Sequence, residues 1–265
     1  IGLGATTITN GLNISGAELQ QITSSGTTEL TTGGGVTVNG ITADNSNTIN
    51  NLTLDATGTI AFSTGASIFN VLNVESDSDV DININLSTDV GDLTIDADDE
   101  NVDTGGGAAD RLDIATGLTI ASAAGMTLDA TTGGIVFAGT GTLTANAGVT
   151  INDAVTATAG NVSIDADLDN NAGGSFTLAN AVTATGRTFA ITAEDLVLNS
   201  TITAETITIT DSDGGGIGLG ATTDADGMDI SGTELQRLTS GGTTTLATAG
   251  IITVDNITAG NSNNI

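Results

Sequence analysis

Six residue types are missing from this chain. It has no Cys, His, Trp, Tyr, Pro or Lys, and its only basic residues are Arg111, Arg187 and Arg237. Each absence excludes something. Without Cys there are no disulfides, and without Cys and His there are no thiolate- or imidazole-bound zinc sites and no Ser-His-Asp or Cys-His nucleophiles. Without Lys no Walker-type phosphate loop is complete, so Gly-rich runs such as GGGIGLG at Gly214 read as corners. Paired carboxylates can hydrolyse glycosides. Such sites usually add aromatic platforms and basic or imidazole groups, which are missing here, so no enzyme is expected. Against three arginines stand 32 Asp and Glu, for a formal charge of −29. That surface repels nucleic acid and anionic membranes and attracts divalent cations. Nor is there an apolar run near the ~18 residues that cross a bilayer, so no membrane insertion is expected in this segment. Because the sequence opens in mid-repeat, missing targeting signals say nothing about a parent protein.

What is present is repetition. IGLGATT opens at Ile1 and again at Ile217, an offset of 217 − 1 = 216. Aligned without a gap, Ile1 to Ile49 and Ile217 to Ile265 match at 31 of 49 positions, and most changes keep apolar positions apolar (Leu12/Met228, Ile22/Leu238, Val36/Ile252). Internal repetition governs the reading of a fold. Residues 1–216 are read as one full repeat and residues 217–265 as the start of the next, a slice of a longer tandem array.

Within the repeat a short phrase returns: apolar, Thr or Ser, apolar, then Asp, Asn or Ala. It reads LTLDA at Leu52, LTIDA at Leu93, LTIAS at Leu118, MTLDA at Met126, VSIDA at Val162, FTLAN at Phe176 and ITITD at Ile207. Period-two alternation puts one face of a strand inward and the other outward, and Thr, Val and Ile suit that surface. Turn signals separate the phrases: NG at Asn10 and Asn39, GGG at Gly33, Gly105 and Gly214, NAGG at Asn171 and DG at Asp226. Only GAELQQI at Gly16 and its copy GTELQRL at Gly232 suggest helix, for one turn at most.

Phrase spacing is irregular, but many intervals fall near 20 residues; Leu72 to Leu93 is 93 − 72 = 21. About 20 residues make one coil of a parallel β-helix, whose coils must stack to bury their apolar faces. At ~4.8 Å between stacked strands, 216 residues make about 11 coils and ~50 Å of advance. The expected fold is therefore all-β, a parallel β-solenoid. The five Phe (Phe62, Phe69, Phe137, Phe176, Phe189) should lie in its thin core, and the lack of Pro suits strands that need every backbone N–H. A string of β-sandwiches is the rival, but it should bring a shorter repeat, linker Pro and core Trp or Tyr.

IGLG at Ile1 and Ile217, ISGAELQQIT at Ile14, VTVNGITADNSNTI at Val36 and GNVSIDADLDNNAGGSFTLANAV at Gly160 resemble bacterial surface proteins of the filamentous-haemagglutinin type. The resemblance covers essentially the whole chain and lies in repeat wording rather than in any catalytic motif. It implies a right-handed parallel β-helix, an extracellular location on the bacterial cell surface, and a role as adhesin, fibre or stalk. It supplies no active-site residues.

Acidic clusters are the candidate sites. In ESDSDVD, Glu75, Asp77, Asp79 and Asp81 alternate, which on one strand would point all four carboxylates to one side. DADDEN groups Asp96, Asp98, Asp99 and Glu100; DADLDN groups Asp165, Asp167 and Asp169; DSDG at Asp211 and DADG at Asp224 flank the repeat boundary. Two readings stand. Asp77, Asp79, Asp81, Asp96, Asp98, Asp165, Asp167 and Asp169 form weak Ca²⁺ sites, since Ca²⁺ takes six to eight such oxygens. Alternatively they form a solvated acidic face that keeps strands from aggregating; EF-hand and β-roll calcium spacings are both absent. Thr156/Thr158, Thr183/Thr185 and Thr206/Thr208/Thr210 suggest either ice-binding ranks or ordinary outward strand positions. Each arginine should pair locally, Arg111 with Asp110 or Asp113.

Two functions follow from different classes. The first is a structural segment of a long fibre whose partners are further copies of the repeat, in the same chain or end to end. The second is a calcium-binding adhesive module that holds a sugar or protein ligand.

Overall fold

A computed structural model describes residues 1–102, 110–171, 173–223 and 227–265. The turn signals at Gly105 and Asp226, one residue of NAGG and the acidic DADG at Asp224 lie partly or wholly outside them. The fold is all-β, a parallel β-helix, as the alternation and spacing predicted. The chain forms two compact units, residues 1–136 and 137–265.

In the first unit like strands stack in register into three ladders, to each of which the coils from Ile60 onward contribute one strand. One ladder runs Gly2–Gly4, Val36–Asn39, Ile60–Phe62, Val80–Ile82, Leu112–Ile114. A second runs Ser67–Phe69, Leu86–Thr88, Leu118–Ser122. The third runs Ser24–Thr32, Ile49–Ala56, Leu72–Ser76, Leu93–Asp96, Met126–Asp129. From Ile60 to Val80 the chain returns to the same ladder after one coil, so neighbours in space are one coil apart in sequence.

In the second unit the strands Val182–Ala193 and Ile202–Asp211 are long enough to serve two ladders, with a register shift where each bends, after Ala184 and after Ala204. The bend adds residues that the ladder leaves unpaired, which is how a strand turns a corner without ending. Beside them stack Val149–Ile151, Phe176–Leu178 and Leu196–Leu198.

Burial follows the phrase. In Leu72–Ser76 and Gly141–Ala145 alternate residues are buried, so the strand's apolar set lines the interior and its Thr, Asn and Asp face out. All five Phe lie inside, Phe137 at a strand's end and the others fully buried. An interior this narrow needs side chains stacked coil on coil, and aromatic rings fill it without polar atoms to satisfy. The outward threonines also stack: Thr206 and Thr208 lie in register with Thr243 and Thr245 on a solvent-facing surface.

The repeated 49 residues carry the same elements twice. Leu3 pairs with Ile14 and Val38, and Leu219 pairs with Ile230 and Val254, at the same register. Each copy then forms a one-turn helix, Gly16–Leu19 and Gly232–Gln236. Ser15 Oγ accepts from Glu18 N at 3.3 Å while Glu18 accepts from Ser15 N at 2.9 Å. Ser231 and Glu234 repeat the exchange at 3.2 and 3.0 Å. That reciprocal cap is what makes so short a helix stable. A second one-turn helix, Ala43–Ser46 and Ala259–Ser262, was not anticipated. Its cap uses Asn45 and Asn261 where Glu or Gln is usual, so the signal was present but atypical.

Glycine in IGLG has a steric reason. Gly4 and Gly220 sit at φ +87° and +96°, and a Cβ there would lie 2.2 Å from Asn39 O and 2.0 Å from Asp255 O. The motif is a close backbone approach, not a phosphate cradle.

Candidate functional site

The acidic residues separate into two structural classes. Asp55, Glu75, Asp96 and Asp129 stand on successive coils of the first unit, each in register with the next. Their side chains face outward because each stands between two inward residues (Leu54 and Ala56, Val74 and Ser76, Ile95 and Ala97, Leu128 and Ala130). The LTLDA phrase, stacked, thus builds a carboxylate ladder with one strand spacing between rungs. Asn73 Nδ2 donates to Glu75 Oε1 within it.

Crowding and partial burial act on the ladder's protons. Asp96 is pushed up to about 6, chiefly by burial, with the Asp129, Asp99 and Asp98 charges adding to it and a hydrogen bond from Asp98 N opposing. Burial also raises Glu75, helped by Asp99, Asp55 and Glu29 and opposed by the bond from Asn73. Asp77, Asp79, Asp81 and Asp165 are raised too, burial again the largest cause.

The four acids of ESDSDVD do not share a strand. Glu75 belongs to Leu72–Ser76 and Asp81 to Val80–Ile82, on different ladders. Asp77 and Asp79 sit at the corner between them, where Ser76 Oγ turns inward and donates to Asp79 O at 3.2 Å. The expectation of one carboxylate row is corrected. Period-two alternation cannot register a corner that leaves the polar pattern unbroken.

Asp98 and Asp167 form the second class, and they turn inward. Both are fully buried. In DADDEN, Asp98 N donates to Asp96 Oδ1 (3.1 Å), Asp98 Oδ2 accepts from Thr132 N (2.8 Å), and Asn101 N closes the turn on Asp98 O (2.8 Å). In DADLDN, Asp167 N donates to Asp165 Oδ1 (3.3 Å), Asp167 Oδ2 accepts from Ser212 Oγ (2.6 Å), and Asn170 N closes on Asp167 O (3.1 Å). Asn101 and Asn170 hold φ +56° and +50°, which Asn tolerates better than most residues. D-A-D-x-x-N is thus one corner used twice. Its second Asp ties its coil to a later one, the next coil for Asp98 and the next but one for Asp167, and its first steadies the turn. Asp169 remains on the surface, accepting from Asn171 Nδ2 at 2.8 Å.

Asp110, Asp153 and Asp211 are buried too, and Asp211 belongs to the DSDG beside the repeat boundary. Its Oδ2 accepts from Thr248 Oγ1 (2.6 Å) and Gly216 N (3.3 Å). The Oδ1 atoms of Asp98 and Asp211 are buried with no hydrogen-bond partner. Among the described residues, however, no three carboxylates gather in an arrangement suited to a metal ion.

The arginines stand apart. Arg111 pairs with Asp113 at 2.7 Å on the surface, Arg187 Nε donates to Thr158 O at 3.0 Å, and Arg237 Nη1 donates to Leu198 O. The Arg111 pair is local, as expected, whereas Arg187 and Arg237 reach backbone carbonyls 29 and 39 residues away rather than nearby carboxylates, and the three form no basic patch. No helix among the described residues is long and apolar enough to cross a membrane.

The other site-like surface is apolar, and it was not foreseen at these residues. Val36 and Val38 are 1% and 0% exposed, whereas their counterparts Ile252 and Val254 are 41% and 59% exposed. Conversely Leu12 is 59% exposed and its counterpart Met228 is 0%. Comparison with family models, with curated proteins and with solved structures returned no match.

Proposed function

We propose that this chain is a structural repeat segment of a long extracellular bacterial fibre or adhesin of the filamentous-haemagglutinin-like kind, extending from or coating the cell surface. The observation that carries the reading is the pair of 49-residue copies. They share one local fold, and the apolar face that is covered in one copy is open in the other, as in parts of a stacked array. The outward carboxylates fit the same role, since dense like charge keeps exposed strands of neighbouring fibres apart. In this reading the partners are further copies of the repeat, and no catalysis is involved. Stability then propagates from coil to coil along the axis.

Electron microscopy of the native material tests it. The first unit's ladder steps from Val36 to Ile60, Val80 and Leu112, at intervals of 24, 20 and 32 residues, so 216 residues make about 9 coils rather than the expected ~11. A thin filament with an axial period of ~43 Å, at ~4.8 Å per coil, is the expected image. A compact particle, or beads at a much shorter interval, would sink the fibre.

A second reading has one observation in its favour, the unpartnered Oδ1 atoms of Asp98 and Asp211. It makes the chain a Ca²⁺-binding adhesive module in which the cation completes these corners. A chelator should then lower the melting temperature; an unchanged melt leaves only the structural role.

A further inference from the structure

We infer that the open face of Ile251–Asp255, with Ile257, Ser262 and Ile265, is a docking surface for one coil of the chemistry of residues 50–70. The inference deepens the fibre reading and rests on it for the identity of the occupant as repeat sequence.

The first copy displays the docked state. There, Ile60 and Phe62 lie in register on Val36 and Val38. Backbone bonds join Val36 N to Thr59 O (3.1 Å), Ser63 N to Val38 O (2.9 Å), Gly40 N to Gly65 O (3.0 Å) and Ile68 N to Ile41 O (2.8 Å). Ser46 Oγ donates to Ile68 O (3.0 Å), and Asn70 Nδ2 donates to Ile49 O (3.0 Å). The host-side donor and acceptor positions among these, at residues 36, 38, 40, 41, 46 and 49, recur 216 residues later.

The second copy keeps most of what the occupant touches and departs at Gly35, whose counterpart is Ile251: a Cβ at Gly35 would lie 2.6 Å from Thr59 O, so the occupant's turn must shift there. Val38, Ile41, Ser46 and Ile49 return as Val254, Ile257, Ser262 and Ile265, and Val36 returns as Ile252. Gly40 is replaced by Asn256, yet both hold positive φ, +64° and +55°, so the backbone presents its N–H alike. A Cβ on Gly40 meets nothing closer than 3.9 Å, so the Asn side chain is tolerated. By contrast a Cβ on Gly65 would come within 2.9 Å of Gly40 Cα. The occupant is therefore specified: an extended Ile-x-Phe pair, then a glycine at the Gly65 position, then Ser-Ile-Phe. Strand addition of this kind draws affinity from backbone bonds and selectivity from alternate side chains.

The experiment extends the 265-residue chain after Ile265 with the sequence of residues 50–70 and follows amide exchange of residues 251–255. Docking slows exchange there at least tenfold and raises the thermal midpoint. A control extension carries Ile60→Asp and Phe62→Asp in the appended copy only, which leaves the host fold untouched; it should restore fast exchange. Equal protection by both extensions, or protection by neither, overturns the inference. So does concentration-dependent protection in the unextended chain, which would seat a second copy on the face instead. Microscopy keeps the two proposals apart. A filament of the expected axial period with no protection leaves the fibre standing and removes this docking mode, while protection in a protein that forms only compact particles does the reverse.

Discussion

Residues 1–49 and 217–265 share register, caps and glycine approaches, but they differ in which side is covered. The first copy lies under the strand Ile60–Phe62 and leaves Leu12 open. The second lies against Ile202–Asp211, with Ile202 on Leu238, and leaves Ile252 and Val254 open. The same side chain at matched positions, Val38 and Val254, is thus buried in one copy and exposed in the other. A coil's backbone geometry is local, while the energy of its apolar residues belongs to the neighbour that covers them.

Substitutions in matched pairs can break or sharpen that contrast. The largest difference is expected for Val38→Asp against Val254→Asp. An unpaired charge buried on Phe62 should cost about 3–5 kcal/mol, whereas the exposed position should change stability by less than about 0.5 kcal/mol. Equal losses in urea denaturation would mean that Val254 is covered after all. Next comes the opposite face, where Met228→Ala should cost about 2–4 kcal/mol and Leu12→Ala little, by the same measurement.

The caps should ignore the contrast. Ser15→Ala and Ser231→Ala are each expected to cost about 1 kcal/mol, because each loses the same local bonds. A large difference between them would show that the helices depend on their neighbours.

The smallest effect concerns pH. Asp96 has a folded pKa near 6, above its usual 3.8. The folded state therefore binds this proton more tightly than the unfolded chain does, so the contribution is fully present below about pH 3.8 and is lost as pH rises through about 6. The other raised carboxylates act in the same direction. Melting temperature should be higher at pH 4.5 than at pH 7.5, and Asp96→Asn should reduce that difference by stabilising the protein at the higher pH. Solvent at this half-exposed group keeps the effect modest. A melt that falls on acidification would contradict the carboxylate ladder.

Much of the fold was legible because its signals are local. Alternation marked the strands in LTIDA and MTLDA, the five Phe were rightly placed inside, and ELQQ marked a single turn. The acid site was less legible. DADDEN and DADLDN looked like surface clusters, since nothing in an Asp reveals whether its side chain will lie along a strand or fold under a corner. Asp98 and Asp167 point inward only because Thr132 N and Ser212 Oγ arrive from other coils. ESDSDVD was misread for a related reason, as Ser76 looks like any outward polar residue until its hydroxyl is seen to hold a corner.

By itself, then, the sequence determined the coil: strand phase, one-turn helices, glycine corners and a repeat of 216 residues. These depend on backbone sterics and on bonds spanning a few residues. Only the tertiary structure decided which carboxylates are buried, where the corners split the acidic runs, and which apolar face each 49-residue copy hides. Those outcomes depend on what the next coil supplies, some 20 or more residues away in sequence, at a distance that periodicity alone does not encode.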